Sequence, residues 1–354
     1  MPDTKPDLFF DAEGVCDACR SADWKNQVDW KQREREFRTL VDEVRSLNRP
    51  YDCLVPVSGG KDSHYQVYKA LEYGLKVLAV TFHPTLQTEL GKENLRNLVS
   101  LGVDHVTVTP NPQVYKSMGL ESFRRIGDHE WPNHLGIFTA PVTIAAEKKI
   151  PLILWGENSQ LEYGGPEAAR QKQTLDRRWL EEFGGLLGNR PSDMIGVDGI
   201  TEDDLVPYTY PSEEELKGIR GVFLGYYFKW DAREQVEKIK QVGFKTLGTH
   251  VEGTYTDYEN LDDAIVSVHD YFKYLKFGFG RATDHACIDI RNGRLSREEA
   301  INLVNLYDGE CSSTTKGLFC AHYDITPDEF DGVCHRFANK KLFDENLKPL
   351  WSVS

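Results

Sequence analysis

Ser58-Gly59-Gly60-Lys61-Asp62-Ser63 follows the apolar run Cys53-Leu54-Val55-Pro56-Val57 and leads straight into a helical pattern carried by Val67, Ala70 and Leu71. A short buried strand, a glycine-rich turn and a helix, in that order, make an anion nest. Two glycines let the backbone approach a phosphate without Cβ clashes, and the free N–H groups of the helix N-terminus point at it. Ser58 and Ser63 add hydroxyl donors and Lys61 adds positive charge. Asp62 would repel a phosphate directly, so its fitting task is to hold a Mg²⁺ that bridges phosphates. A plain capped turn needs no such lysine and aspartate between two serines. The spacing is not that of a Walker A loop, because no four residues separate the first glycine from Gly60-Lys61, so γ-phosphoryl transfer is disfavoured.

Strand and helix patterns alternate outward from this loop. Gly74 sits where a helix-ending glycine belongs, followed by the strand Val77-Leu78-Ala79-Val80-Thr81-Phe82. Leu95, Leu98 and Val99 mark a helix closed by Gly102, then comes the strand Val106-Thr107-Val108. The pattern over 137–149 predicts a helix with Pro141 inside it or near its start, and Pro151-Leu152-Ile153-Leu154-Trp155 reads as a fourth strand. This alternation predicts an α/β fold, a doubly wound parallel sheet covered on both faces. In such sheets ligands sit at the carboxyl ends of the strands. Val80 and Phe82 are therefore expected near an adenine, with Phe82 reading equally well as core. Gly156 and Glu157 end the fourth strand, and Glu157 could serve a metal or an ammonium-like nucleophile. Glu162 reads either as a crevice carboxylate or as a solvated loop charge.

Three parts are expected: 1–50, with a Cys-x-x-Cys turn and a helix through Phe37, Leu40, Val41, Val44 and Leu47; 51–210, the nucleotide-binding part with a lid or insertion after 165; and 211–354, mostly helical. Asn260 with Asp263 is expected to cap a helix over 261–275. Ser296 with Glu299 forms a capping box, and Thr326-Pro327 starts another helix. The charge, 42 − 56 = −14, argues against a nucleic-acid partner. No apolar stretch approaches the roughly 20 residues that span a bilayer, and the first residues lack a secretory pattern, so no membrane partner and a cytoplasmic location are expected. Of seven cysteines only Cys16 and Cys19 are close in sequence, and in a cytosolic chain they suggest metal before disulfide. His134 and the Cys334-His335 pair read as structural.

The loop resembles the SGGxDS signature of PP-loop ATP pyrophosphatases, the adenine nucleotide alpha hydrolase-like fold, in which the loop grips pyrophosphate and the α-phosphorus is attacked. Further strings extend the resemblance: Met1-Pro2-Asp3-Thr4-Lys5-Pro6, Gly14-Val15-Cys16-Asp17-Ala18-Cys19, Tyr65-Gln66, Asn94-Leu95-Arg96-Asn97-Leu98, Trp155-Gly156-Glu157-Asn158, Glu162-Tyr163-Gly164-Gly165 and Gly278-Phe279-Gly280-Arg281-Ala282-Thr283-Asp284. Together the chain is similar to the N-acetyl sugar amidotransferase family of bacterial surface-polysaccharide and lipopolysaccharide (O-antigen) biosynthesis. The resemblance implies that ATP and Mg²⁺ adenylylate the amide oxygen of an acetamido sugar, free or nucleotide-linked, and that ammonia then displaces AMP to leave an acetamidino group. No glutaminase signature occurs here, so a separate class I glutaminase subunit is the implied partner.

On the same resemblance Lys61, Asp62, Glu157 and Arg281 are the expected catalytic residues. Ser58, Gly59, Gly60, Ser63, Val80, Phe82 and Gly156 join Lys61 and Asp62 around the nucleotide. Asn158, Glu162, Tyr163 and Asp284 face substrate, with His285 beside them. Arg281, in a glycine-flanked turn, would grip phosphate or a sugar carboxylate. Family members often carry another Cys-x-x-Cys just ahead of the Met-Pro-Asp-Thr string, which makes Cys16 and Cys19 half of a zinc site; zinc or a simple thiol pair both remain open. Two rival readings are a PP-loop tRNA-modifying enzyme, of the thiolase or lysidine-synthetase kind, and a nucleotide sensor without turnover.

Overall fold

In the computed structural model, which describes residues 1–82, 86–159, 162 and 186–351, five parallel strands form one sheet in the order β3-β2-β1-β4-β5. They are β1 (Cys53–Pro56), β2 (Val77–Phe82), β3 (Asp104–Val108), β4 (Leu152–Trp155) and β5 (Arg220–Phe223). Leu54 of the central strand lies opposite Leu78 on one side and Ile153 on the other. Val80↔Val106 and Trp155↔Phe223 carry the register to the two edges. The order reverses at β1, and the crevice beyond its carboxyl end is the topological switch point. The 58–63 loop stands there.

Alternate residues along each strand serve opposite faces, as strand geometry requires. Cys53, Val55, Val77, Ala79, Leu152 and Leu154 pack with Phe37, Leu40, Val41 and Val44 of α2 (Trp30–Ser46) and with Val67 and Ala70 of α3 (Lys61–Glu72). Leu54, Leu78, Val80, Ile153 and Trp155 pack with Val142 and Ala145 of α6 (Trp131–Lys148) on the other face. Helices on both sides make the sheet doubly wound. It also holds more of the chain than expected: α2 belongs to its core, and β5 lies beyond residue 210, because that short strand shows too little periodicity to be read.

Between these elements α1 (Asp17–Lys25) leads the chain, while α4 (Glu89–Val99) and α5 (Pro112–Ile126) make the crossovers. Gly74 and Gly102, at φ +71° and +101°, end helices as the sequence predicts. The helix expected over 137–149 starts earlier, at Trp131, with Pro132 in its first turn, where a missing N–H does no harm, and Pro141 inside. After β5 come the short α7 (Leu224–Tyr227) and α8 (Ala232–Lys240), then α9 (Val266–Phe277), α10 (Arg281–Arg291), α11 (Arg297–Tyr307), α12 (Ser313–Tyr323) and α13 (Pro327–Phe337). Ser296 with Glu299 closes a capping box on α11, and Thr326 caps α13.

The helix expected over 261–275 is instead α9. Asn260 has φ +49° and sends its Nδ2 to Asp270 (2.9 Å), and Asp263 Oδ1 accepts from Ile265 N (2.8 Å), so both side chains shape the turn ahead of the helix. Phe123 of α5 packs among Phe272, Phe319 and Phe330, with ring centroids 5.1, 4.8 and 5.7 Å away, joining the helical part to the sheet part through one aromatic cluster. Among the described residues no helix is long and apolar enough to cross a membrane.

Candidate active site

Gly59 takes φ +96°, and an added Cβ would lie 2.9 Å from the Gly91 carbonyl oxygen and 3.0 Å from Leu95 N. Backbone angle and space both demand glycine there. Ser63 Oγ donates to the Gly60 carbonyl (2.9 Å) and accepts from the Gly59 N–H (3.2 Å), locking the turn onto the first turn of α3. Ser58 Oγ accepts from the Gly60 N–H (3.2 Å), and the Ser58 side chain is also hydrogen-bonded to Asp262. The two serines therefore hold the loop in shape, a task beyond the donor role predicted for them.

A cavity of about 260 Å³ opens beside this loop, lined among others by Ser58, Asp62, Ser63, Val80, Phe82, Gly156 and Glu157. Seven of the residues expected around nucleotide or metal thus share one wall system. Ile137, Phe138 and Pro141 of α6 form the apolar side with Phe82, which suits a base on one wall and phosphates on the other. Phe82 also packs in the core near Tyr115 and Tyr208, as its core reading expects, while lining the cavity. Its place depends on Gly136, where a Cβ would fall 2.2 Å from the ring. Two lining residues carry buried atoms without a hydrogen-bond partner, Asp62 Oδ1 and Trp155 Nε1.

Lys61 points beyond this cavity. Its Nζ lies 2.6 Å from Asp62 Oδ2 and 3.0 Å from Glu259 Oε1. Burial opposes its charge, but Asp62, Glu259 and Glu157 outweigh that and raise its pKa. Glu259 continues to His285 Nε2 (3.5 Å), whose Nδ1 meets Thr254 Oγ1 (2.6 Å). Burial favours the neutral form of Glu259, yet Lys61, His285 and Arg281 hold its pKa below the ordinary range. Glu157 behaves oppositely: burial, then Asp62, push it up to about 8 against the pull of Lys61. Asp62 and Glu157 both line the cavity, and paired carboxylates are the hard-oxygen donors that a Mg²⁺ shared with phosphates uses.

Glu162 is buried and paired with Lys25 of α1 (Nζ–Oε2 2.6 Å), and Arg291 Nη2 donates to its carbonyl (3.0 Å), so it is not a solvated loop charge. Asn158, four residues before it, is buried, while Tyr163 lies outside the described residues, as do 166–185 of the expected lid. Arg281 does not sit in a turn: it is the first residue of α10, because Gly280 serves as N-cap, and its Nε and Nη2 grip Asp270 at 2.7 and 3.0 Å. Asp284 pairs with Lys273. Cys16 caps α1 and its Sγ lies 3.5 Å from that of Cys19. The hydrogen bond with Cys19 brings the Cys16 thiol down to about 5. Among the described residues no third His, Cys, Asp or Glu joins them in a metal-holding group.

Sequence reading missed Glu259 and Asp262. Both stand in Tyr258-Glu259-Asn260-Leu261-Asp262-Asp263, an acidic run that reads as helix capping. Its concentration of carboxylates was the signal, but no spacing rule ties it to a loop so far away in the chain.

Sheet, loop and cavity define an α/β protein with a glycine-rich loop at the switch point of a doubly wound parallel sheet. Residues 252–353 match the family described as "LPS biosynthesis protein WbpG-like, C-terminal domain". The C-terminal part is thus similar to a domain of lipopolysaccharide biosynthesis, the context to which the sequence strings point. No curated protein matches the chain. A solved structure described as NMN synthetase from Francisella tularensis aligns with TM-score 0.42 at 12% identity, covering 79% of this chain and 92% of that one, too distant to carry an argument.

Proposed function

We propose that the chain is an ATP-dependent amidotransferase that turns the acetamido group of a sugar into an acetamidino group, releasing pyrophosphate and AMP. The observation that carries this reading is the cavity in which Ser58 and Ser63 of the glycine-rich loop, Asp62 and Glu157 meet an apolar wall. Such a site suits a bound adenine nucleotide whose β,γ-phosphates lie on the nest and whose α-phosphorus faces the crevice. The WbpG-like match supports a sugar of lipopolysaccharide biosynthesis.

An amide oxygen is a poor leaving group until it carries a phosphoryl substituent, so adenylylation comes first. In this reading the N–H groups at the start of α3 orient the departing pyrophosphate, since those of Gly59 and Gly60 are taken by Ser63 and Ser58, and Lys61, kept charged by its carboxylate neighbours, offsets the charge developing there. Asp62 and Glu157 would hold Mg²⁺, which neutralises the phosphates when bound. Ammonia comes from a separate glutaminase subunit, and no nucleic acid takes part, in keeping with the −14 charge. The tRNA-modifying alternative gains no specific support.

Mass spectrometry of acetamido sugars incubated with ATP, Mg²⁺ and ammonium tests the reading. The expected product has O replaced by NH, with AMP formed in step. Accumulation of ADP, or pyrophosphate release without an amidine, would overturn it, and a shift of bulk tRNA by the purified chain would favour the rival.

A further inference from the structure

The stripe of α6 that lines the cavity, Ile137, Phe138 and Pro141, continues one turn toward the helix start to His134. His134 Nδ1 is buried without a hydrogen-bond partner and lies 4.0 Å from Asp128 Oδ2. From α9, His269 Nδ1 donates to Asp128 Oδ1 at 2.8 Å. The two rings stand 5.4 Å apart at 82°. One carboxylate, itself only 6% exposed at the side chain, thus faces the Nδ1 edges of two imidazoles that are 24% and 28% exposed. On His269 the hydrogen-bonded carboxylate selects the tautomer that leaves the Nε2 lone pair free to take a proton, while His134 stands beside the same carboxylate without a hydrogen bond to it. Glu130, whose charge bears on His134, also bears on Asp262, which is hydrogen-bonded to Ser58 of the loop.

We propose that Asp128, His134 and His269 form the proton-accepting group for the nitrogen nucleophile of the amidotransferase reaction; this rests on the function proposed above. Ammonia attacks the imidate carbon and a C–N bond forms. The adduct then carries an ammonium, which leaves more readily than AMP, so unless a proton is removed the adduct reverts. An imidazole Nε2 accepts that proton. The C–O bond breaks with its electron pair going to AMP, and the imidazolium returns the proton to the sugar nitrogen, giving an amidinium. His134 and His269 contact the reacting atoms in this scheme, and Asp128 is a positioning residue.

The groups facing the pair fit the task. His134 lies among Asp128, His269, Glu130 and His129, and burial lowers its pKa, keeping it neutral as an acceptor. His269 faces Asp128, Asp270 and Glu130; burial opposes its charge, but Asp128 outweighs it and raises the pKa, so a proton once taken is held. Lys276 is the cation near Asp128.

The test uses the full chain with ATP, Mg²⁺, an acetamido sugar and ammonium, measuring pyrophosphate and amidine separately. In His134→Gln, His269→Gln and Asp128→Asn the amidine formed per pyrophosphate should drop about 100-fold, with H₂¹⁸O label entering recovered acetamide as the adenylylated sugar hydrolyses. At fixed free ammonia, the acid limb of residual amidine formation should move to lower pH in Asp128→Asn, because the carboxylate that raises His269 is gone. Amidine per pyrophosphate equal to wild type in all three variants overturns the assignment, as does a parallel loss of both products, which would mark a structural role. Wild-type chain that releases pyrophosphate but forms no amidine overturns the proposed function and this inference together.

Discussion

Nζ of Lys61 lies 3.0 Å from Oε1 of Glu259, so the loop lysine is held by a carboxylate from the far side of the chain. Both are nearly buried. Removing one partner of such a pair leaves an uncompensated charge, typically at about 3–5 kcal/mol; here Asp62 remains for Lys61, so the lower end is expected for Glu259→Ala in denaturant unfolding. Lys61→Ala and the double variant should be non-additive. Glu259 has a depressed pKa, so its contribution is present above the ordinary glutamate range and is lost as pH falls below it. The difference between Glu259→Ala and wild type should therefore shrink in acid. A constant difference would remove the ion pair as its cause.

Asp62 lines the cavity and carries a buried carboxylate oxygen, Oδ1, without a hydrogen-bond partner. Asp62→Ala should lower ATP-dependent pyrophosphate release by about 100-fold or more, and Mg²⁺ should no longer sharpen nucleotide binding in calorimetry. Wild-type turnover in this variant would remove the metal role.

Glu157 makes a prediction of opposite sign to Glu259. Its pKa is raised to about 8, so the folded chain binds more protons than the unfolded chain between the ordinary glutamate value and about 8. Stability of the ligand-free protein should fall as pH rises through that window. In Glu157→Gln this part of the slope disappears, and the variant should melt higher than wild type at the alkaline end. With Mg²⁺ and ATP the wild-type trend reverses, because the metal selects the ionised carboxylate. Melting curves across pH, with and without nucleotide, read both effects.

Much of this arrangement is legible from residues alone. Continuous apolar runs and glycine stops locate β1, β2, α3 and α4, because strand burial and left-handed helix ends are local physics. The 58–63 string announces its nest for the same reason. Glu259, Asp262 and the Asp128–His269 contact are not legible, since they arise from tertiary contact between distant segments. The capping expectation at Asn260 fails because its side chain finds a stronger acceptor in Asp270, and β5 is hidden because four residues at a sheet edge carry almost no pattern.

Gly136→Ala tests how tightly the base-side wall is fitted. Its Cβ would meet Phe82 at 2.2 Å, and overpacking of this kind costs about 1–3 kcal/mol. The larger effect is expected on function: displacement of Phe82 into the cavity should weaken nucleotide binding more than it lowers melting temperature. Full affinity in this variant would show that the base lies elsewhere.

Arg281→Ala leaves Asp270, 4% exposed, without its guanidinium, although Asn260 still donates to it. Loss of about 3 kcal/mol is expected in equilibrium unfolding. A loss of sugar-dependent turnover at undiminished stability would instead assign Arg281 to substrate.

The residue that holds Lys61 belongs to the stretch that matches the WbpG-like domain, which begins at residue 252. Chimeras built by exchanging this carboxyl-terminal portion between relatives would thus inherit half of an ion pair from each parent. Hybrids whose donors supply both the lysine and its distant glutamate keep this pairing, whereas the others leave the lysine to Asp62 alone.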